Sequence, residues 1–183
     1  MMEPLFRTAR LVIRPWTLND VDAAYDIYSR ADVTRWLDDP AGIGSPEQMR
    51  ERVEAWSRPS DDPTYGVWAV TERGHRRPIG SVLLRPLPGG EDVEVGWHLH
   101  PDYWGRGYAT EVGRAAAHRA FDTGIDQVLA VSRPGNARSR GVAERIGMEY
   151  VGHTTKYYGV ELELFRLRPG DLHEAESRPA GSA

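Results

Sequence analysis

The feature that most constrains this chain is a change of hydrophobic period at a glycine-bearing junction. In Val93-Glu94-Val95-Gly96-Trp97-His98-Leu99-His100 the odd positions are apolar and the even ones are Glu, Gly, His and His, the period of two that marks a strand. After Trp104-Gly105-Arg106-Gly107-Tyr108-Ala109-Thr110 the pattern turns helical from about Arg106 to Asp122, along Ala109, Val112, Gly113, Ala116 and Ala120. Small residues on that stripe let a helix lie close on a sheet. Glycines at 105 and 107 remove β-carbons where the backbone must turn. The first N–H groups of the helix then have no internal acceptor and sit at the positive end of its dipole. Such a junction suits an anion, above all a phosphate or diphosphate. Taken alone it also reads as a tight strand-to-helix turn with no ligand.

Two phosphate-binding classes fail on the residues. No Gly-x-x-x-x-Gly-Lys-Ser/Thr occurs, so the site is not a P-loop. Thr110 stands where the third glycine of a dinucleotide fingerprint belongs, and the next strand runs into Ser132-Arg133 without the acidic residue a ribose needs.

The rest of the chain surrounds the junction with short elements. Arg10 to Trp16 reads as a strand that stops at Thr17-Leu18-Asn19-Asp20, a capping box opening a helix with Val21, Ala24, Tyr25 and Tyr28 on its apolar face. Ser45-Pro46-Glu47-Gln48 opens a second helix with Met49, Val53 and Trp56, and Asp38 to Gly44 is the loop between them. Gly66 to Thr71, Pro78 to Leu84 and Glu91 to His100 read as an antiparallel meander. Beyond the junction helix, Gln127 to Ser132 is a short buried strand. Asn136 caps a helix that ends at Ile146, with Gly147 as a left-handed stop and Met148 packing behind it. Tyr150 to Lys156 and Val160 to Leu167 form a closing hairpin about Tyr157-Tyr158-Gly159. This order gives a mixed α/β layer, neither a doubly wound sheet nor an all-β sandwich. One domain over residues 1–172 and a frayed tail over 173–183 are expected.

Composition narrows the function. With 23 Lys plus Arg against 27 Asp plus Glu the formal net charge is -4, which argues against a general nucleic-acid binder. Zero cysteines exclude a disulfide scaffold, a thiolate nucleophile and cysteine-ligated zinc, and fit a reducing cytoplasm. No uninterrupted apolar run exceeds four residues, so neither a membrane span nor a secretory leader is expected.

Within the strand, Glu94, Gly96, His98 and His100 share one face. A carboxylate two residues from a glycine that leaves room for a ligand is a candidate general base; the alternative is a solvent-facing residue on a half-exposed strand. Glu94, His98 and His100 have same-face metal-ligand spacing, but three ligands from one strand rarely converge, and no metal is expected. Asn136 and Ser139 either cap their helix or reach a ligand, and Arg133, Arg138 and Arg140 nearby either face solvent or neutralise a phosphate.

Together these segments resemble the GNAT N-acetyltransferase superfamily, in its branch that includes the Rim-type acetyltransferases of ribosomal protein N-termini. The resemblance runs from Leu5 to Trp16, through Glu94-Val95-Gly96-Trp97 and Tyr103 to Thr110, to Asn136 to Ser139 and Glu144-Arg145-Ile146-Gly147-Met148. It implies a mostly antiparallel seven-stranded sheet with helices on both faces, splayed between the strands at Val93 to His100 and Gln127 to Ser132. It implies acetyl-CoA as the cofactor, its diphosphate on Trp104, Gly105, Arg106, Gly107, Tyr108, Ala109 and Thr110, with Arg140 nearby. The pantetheine arm would lie along Val95, Trp97 and Leu99, with Asn136 on the other lip. Glu94 is the implied base and Ser139 the implied acid, since Ala143 occupies the position where many relatives carry an acidic tyrosine. Trp36, Trp56, Tyr157 and Tyr158 are candidates to line the acceptor site, with Asp38, Asp39, Asp61 and Asp62 as partners for a cation; core packing is the alternative for the aromatics. The acceptor is an amine on a small molecule or a peptide N-terminus, and the protein a monomer or homodimer. A silent acyl-CoA-sensing module of the same fold is the competing function, and a nucleotide-binding regulator a third.

Overall fold

The computed structural model describes residues 4–37 and 42–172. Strands β1 (Phe6–Arg7) and β2 (Leu11–Pro15) lead into a 3-10 turn (Leu18–Asp20) and helices α1 (Val21–Tyr28), α2 (Ala31–Thr34) and α3 (Pro46–Ser57). Strands β3 (Gly66–Glu72), β4 (Pro78–Pro86) and β5 (Val93–Leu99) follow, then α4 (Tyr108–Asp122), β6 (Val128–Ser132), α5 (Ala137–Ile146), β7 (Glu149–Thr154) and β8 (Leu162–Leu167). The eight strands form one sheet in the order β1-β2-β3-β4-β5-β6-β8-β7. The expected seven become eight because Phe6–Arg7, too short to show a period, pairs antiparallel with Ile13 and Val12. The short helix α2 was likewise invisible to periodicity, being a single turn.

Caps form largely where the residues called for them. Ser45 accepts from the Gln48 N–H at 3.3 Å, and Gly147 takes the left-handed conformation (φ 106°) with Met148 N–H returning to the Ala143 carbonyl. At the first position the expected capping box forms between Thr17 and Asp20, whose carboxylate accepts from the Thr17 N–H at 3.0 Å and also from the Thr17 hydroxyl at 2.7 Å. Arg14 binds both Asp20 oxygens at 2.8 Å. Burial alone would raise the Asp20 carboxyl, yet the Arg14 and Thr17 bonds outweigh it and hold it below the usual range.

Apolar residues cover both faces of the sheet. On one, Val112, Ala116 and Ala120 of α4 and Val142, Ala143 and Ile146 of α5 pack on Leu11, Ile13, Val70, Val82, Val95 and Leu99. A β-carbon at Gly113 would stand 2.6 Å from Ile146 Cδ1 and 3.1 Å from the Trp97 ring, so glycine lets α4 approach this closely. On the other face α1 and α3 bury Ala24, Ile27, Tyr28, Met49 and Val53 against Trp16 and Ala69. Among the described residues no helix is long and apolar enough to cross a membrane.

The two edges of β5 differ. Toward β4 it pairs antiparallel at every position from Val93 opposite Pro86 to Leu99 opposite Gly80. Toward β6 it pairs in parallel at one point, Glu94 with Leu129, and β6 is otherwise matched to β8. The His100 N–H donates to the Ile79 carbonyl, and strict alternation then directs the even residues of β5 at β4. The Val95 carbonyl and the backbone groups of Trp97 and Leu99 therefore point into the opening beside β6, the Val95 N–H serving the bridge to Leu129.

Candidate active site

The glycine junction stands at the mouth of that opening. Gly105 and Gly107 both have positive φ, 74° and 76°, a conformation in which a side chain is strained. At Gly105 an added β-carbon would meet nothing within 4 Å, so backbone conformation, not crowding, requires the glycine. Helical bonding begins with Glu111 N–H to the Gly107 carbonyl, at 3.0 Å. The N–H groups of Tyr108, Ala109 and Thr110 consequently lack an acceptor inside the helix. The helix starts at Tyr108, two residues later than periodicity suggested, because Gly107 is its left-handed cap.

Sequence reasoning missed the brace behind this turn. Arg10 donates through Nη1 to the Arg106 carbonyl at 2.8 Å and through Nε to Glu111 Oε2 at 2.7 Å, while Glu111 Oε1 accepts from the Arg10 N–H and the Thr8 hydroxyl. Burial pushes the Glu111 carboxyl up, but these bonds outweigh it and hold it below its ordinary value. The pairing spans 101 positions of sequence and leaves no local signal.

The junction, β5, β6 and the start of α5 enclose a cavity of about 630 Å³. Its lining includes residues 94–99, Trp104, Gly105, Gly107, Tyr108, Ala109, Thr110, Asn136, Ser139 and Trp36. Arg106 is not among the described lining residues; its guanidinium lies over the Tyr103 ring at 5.0 Å, so it contributes main chain to the turn. Arg140 is also absent from the lining. It pairs with Glu144 at 3.1 Å and Glu163 at 3.2 Å and covers the Tyr150 ring, which turns it to the hairpin and away from the cavity. Trp104 donates its indole N–H to the Leu99 carbonyl at 2.8 Å, which occupies one of the outward groups of β5. Asn136 Oδ1 accepts from the Ser139 N–H at 3.2 Å, the capping arrangement, while both residues also line the cavity.

A second cavity of about 350 Å³ shares Trp36, Leu37, Glu94, His98, Val131 and Ser132 with the first. Glu94 stands at this common wall, only 7% exposed, so it is not a solvent-facing residue. Its Oε2 accepts from Arg85 Nε and from the Tyr158 hydroxyl, each at 2.8 Å. Trp56 lines the second cavity, its ring packed at a tilt against Trp16 and Tyr28. Tyr157 does not line it: it is 2% exposed among Leu87, Leu129 and Leu162, and its hydroxyl donates to Asp92. An acidic mouth was expected here. Asp38 and Asp39 lie outside the described residues, Asp61 and Asp62 belong to an exposed turn away from the cavity, and the charged described lining is Arg52, Arg85, Arg133 and Glu94.

His98 completes that wall. The Tyr28 hydroxyl lies within hydrogen-bond distance of Ser81 Oγ, at 2.7 Å, and of His98 Nδ1, at 3.2 Å. Burial, aided by the Arg85 charge, lowers His98 from 6.5 to about 4, so it is neutral near pH 7.

A model described as "Acetyltransferase (GNAT) domain" matches residues 10–149. The chain belongs to the GNAT acetyltransferase family. It is 27% identical over 150 residues to the uncharacterized N-acetyltransferase YnaD of Bacillus subtilis, covering 81% of this chain and 85% of that relative. It is 30% identical over 162 residues to the FsC-acetyl coenzyme A-N(2)-transacetylase of Aspergillus fumigatus, covering 81% of this chain and 66% of that one. Among solved structures, RimL, a ribosomal L7/L12 α-N-protein acetyltransferase in complex with coenzyme A, shares the fold at TM-score 0.74 and 17% identity, over 91% of this GNAT chain and 98% of its own.

Proposed function

We propose that this GNAT protein is an acetyl-CoA-dependent N-acetyltransferase, acting in the cytoplasm on a primary amine carried by a small molecule or a peptide N-terminus. The observation that carries the reading is the placement of Glu94 where two cavities meet, one running along the outward backbone groups of β5 to the junction amides, the other lined by Trp36 and Trp56. The amides of Tyr108, Ala109 and Thr110 hold the diphosphate at the helix dipole. The outward groups of β5 pair with the pantetheine amides as an added strand would, Asn136 supporting them from the facing lip.

Acetyl-CoA supplies an activated thioester carbonyl to the acceptor. An alkylammonium holds its proton to about pH 10.4 and an N-terminal ammonium to about 8, so the nitrogen must be deprotonated before it attacks. Glu94 takes that proton through a water. A strand N–H at Trp97 or Leu99 stabilises the charge developing on the carbonyl oxygen. As the C–N bond forms the C–S bond breaks, and Ser139 hands a proton to the departing sulfur, whose thiol titrates near ~8.5 and needs little help. Glu94→Gln is expected to lower turnover by about 100-fold or more with acetyl-CoA affinity unchanged in calorimetry. An unaltered rate across pH would remove Glu94 from the reaction. A panel of peptides with free N-termini, aminoglycosides and polyamines identifies the acceptor.

A further inference from the structure

The three buried carboxylates among the described residues, Asp20, Glu94 and Glu163, are not held alike. Asp20 has both oxygens engaged by Arg14, whereas Glu163 accepts from Arg140 on Oε1 alone. Glu94 receives Arg85 Nε and the Tyr158 hydroxyl on Oε2 alone. Oε1 has no partner among the described residues, and it is not one of the atoms both unpaired and sealed from solvent. Glu94, unlike Glu163, lines both cavities.

The chain accepts backbone strain to make this contact. Tyr158 has φ 56°, the sole positive value on a non-glycine among the described residues, and Gly159 follows at φ 67°. Glycine or asparagine would suit that turn position better. Residues held in such conformations persist where surrounding contacts over-determine them. Here the contacts include the hydroxyl bond to Glu94 and the Arg85 guanidinium 5.5 Å from the ring centroid. Arg85 lies directly across the β4–β5 seam from Glu94, whereas Tyr158 arrives from the β7–β8 turn, 64 positions away.

We propose that Tyr158 is a positioning residue for the acetyl-transfer base: with Arg85 it pins Glu94 through Oε2 and thereby presents Oε1 as the one oxygen that takes the proton. This rests on the reading of Glu94 as base. It ties the β7–β8 turn to the reacting centre, so a change in that turn alters turnover without altering how acetyl-CoA is held.

The test uses the full chain as wild type, Tyr158→Phe and Glu94→Gln. Carboxyl-carbon NMR follows Glu94 and ring-carbon NMR follows the Cζ of Tyr158, both without substrate. Acetyl transfer is measured with an acceptor panel of free-N-terminal tripeptides, spermidine and an aminoglycoside. Tyr158→Phe keeps the ring, so thermal stability should hold. The Glu94 carboxyl resonance should move in Tyr158→Phe, the Tyr158 Cζ resonance should move in Glu94→Gln, and turnover in Tyr158→Phe should fall about 5- to 50-fold with the KM for acetyl-CoA unchanged. If Glu94→Gln is inactive while Tyr158→Phe matches wild type in turnover, the base reading stands and the positioning role is overturned. If Glu94→Gln keeps full activity, the base reading falls and the positioning role with it. Absence of either resonance shift refutes the contact itself, whatever the kinetics.

Discussion

The two edges of β5 are built from the same seven residues and meet opposite fates. Toward β4 every position is paired, and the seam is reinforced by Arg85 on Glu94 and by the Ser81–Tyr28–His98 chain. Toward β6 one pair forms and the strands then part, leaving the Val95 carbonyl and the backbone of Trp97 and Leu99 facing a cavity. An unpaired edge inside a sheet costs stability unless something satisfies its polar groups. The closed edge thus supplies the rigidity that lets the open one wait for a ligand, and the catalytic candidate sits at their shared end.

Breaking the closed edge should have the largest effect. A β-carbon at Gly80 would lie 2.2 Å from the His98 carbonyl oxygen and 2.9 Å from Leu99 Cα, so Gly80→Val cannot be accommodated by a rotamer change. Urea unfolding should show a loss of about 4 kcal/mol or more; a near-native midpoint would mean that this seam is more pliable than its register implies.

The same edge predicts an acid limit. His98 falls from 6.5 to about 4 on folding, so below pH 6.5 the unfolded chain binds a proton that the folded chain refuses. Stability from this group is intact above 6.5 and is lost as pH drops toward 4, by about 3 kcal/mol at most. His98→Gln should flatten that part of the stability-against-pH curve, and an unchanged slope would place the acid sensitivity elsewhere.

At the open edge the effects are on binding and rate. Gly107→Val, strained at φ 76° and 3.4 Å from the Arg10 guanidinium, should weaken acetyl-CoA binding by about tenfold or more, about 1.4 kcal/mol, in calorimetry. Unaltered affinity would detach the diphosphate from these amides. Ser139→Ala should be mildest, a few-fold loss of turnover, because the thiolate is already a good leaving group; full activity would leave Ser139 as part of the cap alone.

Local periodicity and local caps made much of this legible: the junction, the meander, the stop at Gly147 and the shared face of Glu94 and His98. What it could not reach were pairings fixed by tertiary approach, such as Arg10 with Glu111 and Tyr158 with Glu94. Arg85 was within reach, since the hairpin register sets it opposite Glu94. So was the diversion of Arg140, whose partner Glu144 stands four residues on along one helix face. Tyr157 and Tyr158 show the limit most plainly. They are adjacent and identical, yet one enters the core and the other reaches the reaction candidate, a choice made by the turn's backbone.

The most direct measurement is a crystal structure of the chain with coenzyme A. It should show diphosphate oxygens within hydrogen-bond distance of the Tyr108, Ala109 and Thr110 amides and the pantetheine lying between β5 and β6. Coenzyme bound to another face, with those strands closed together, would contradict it.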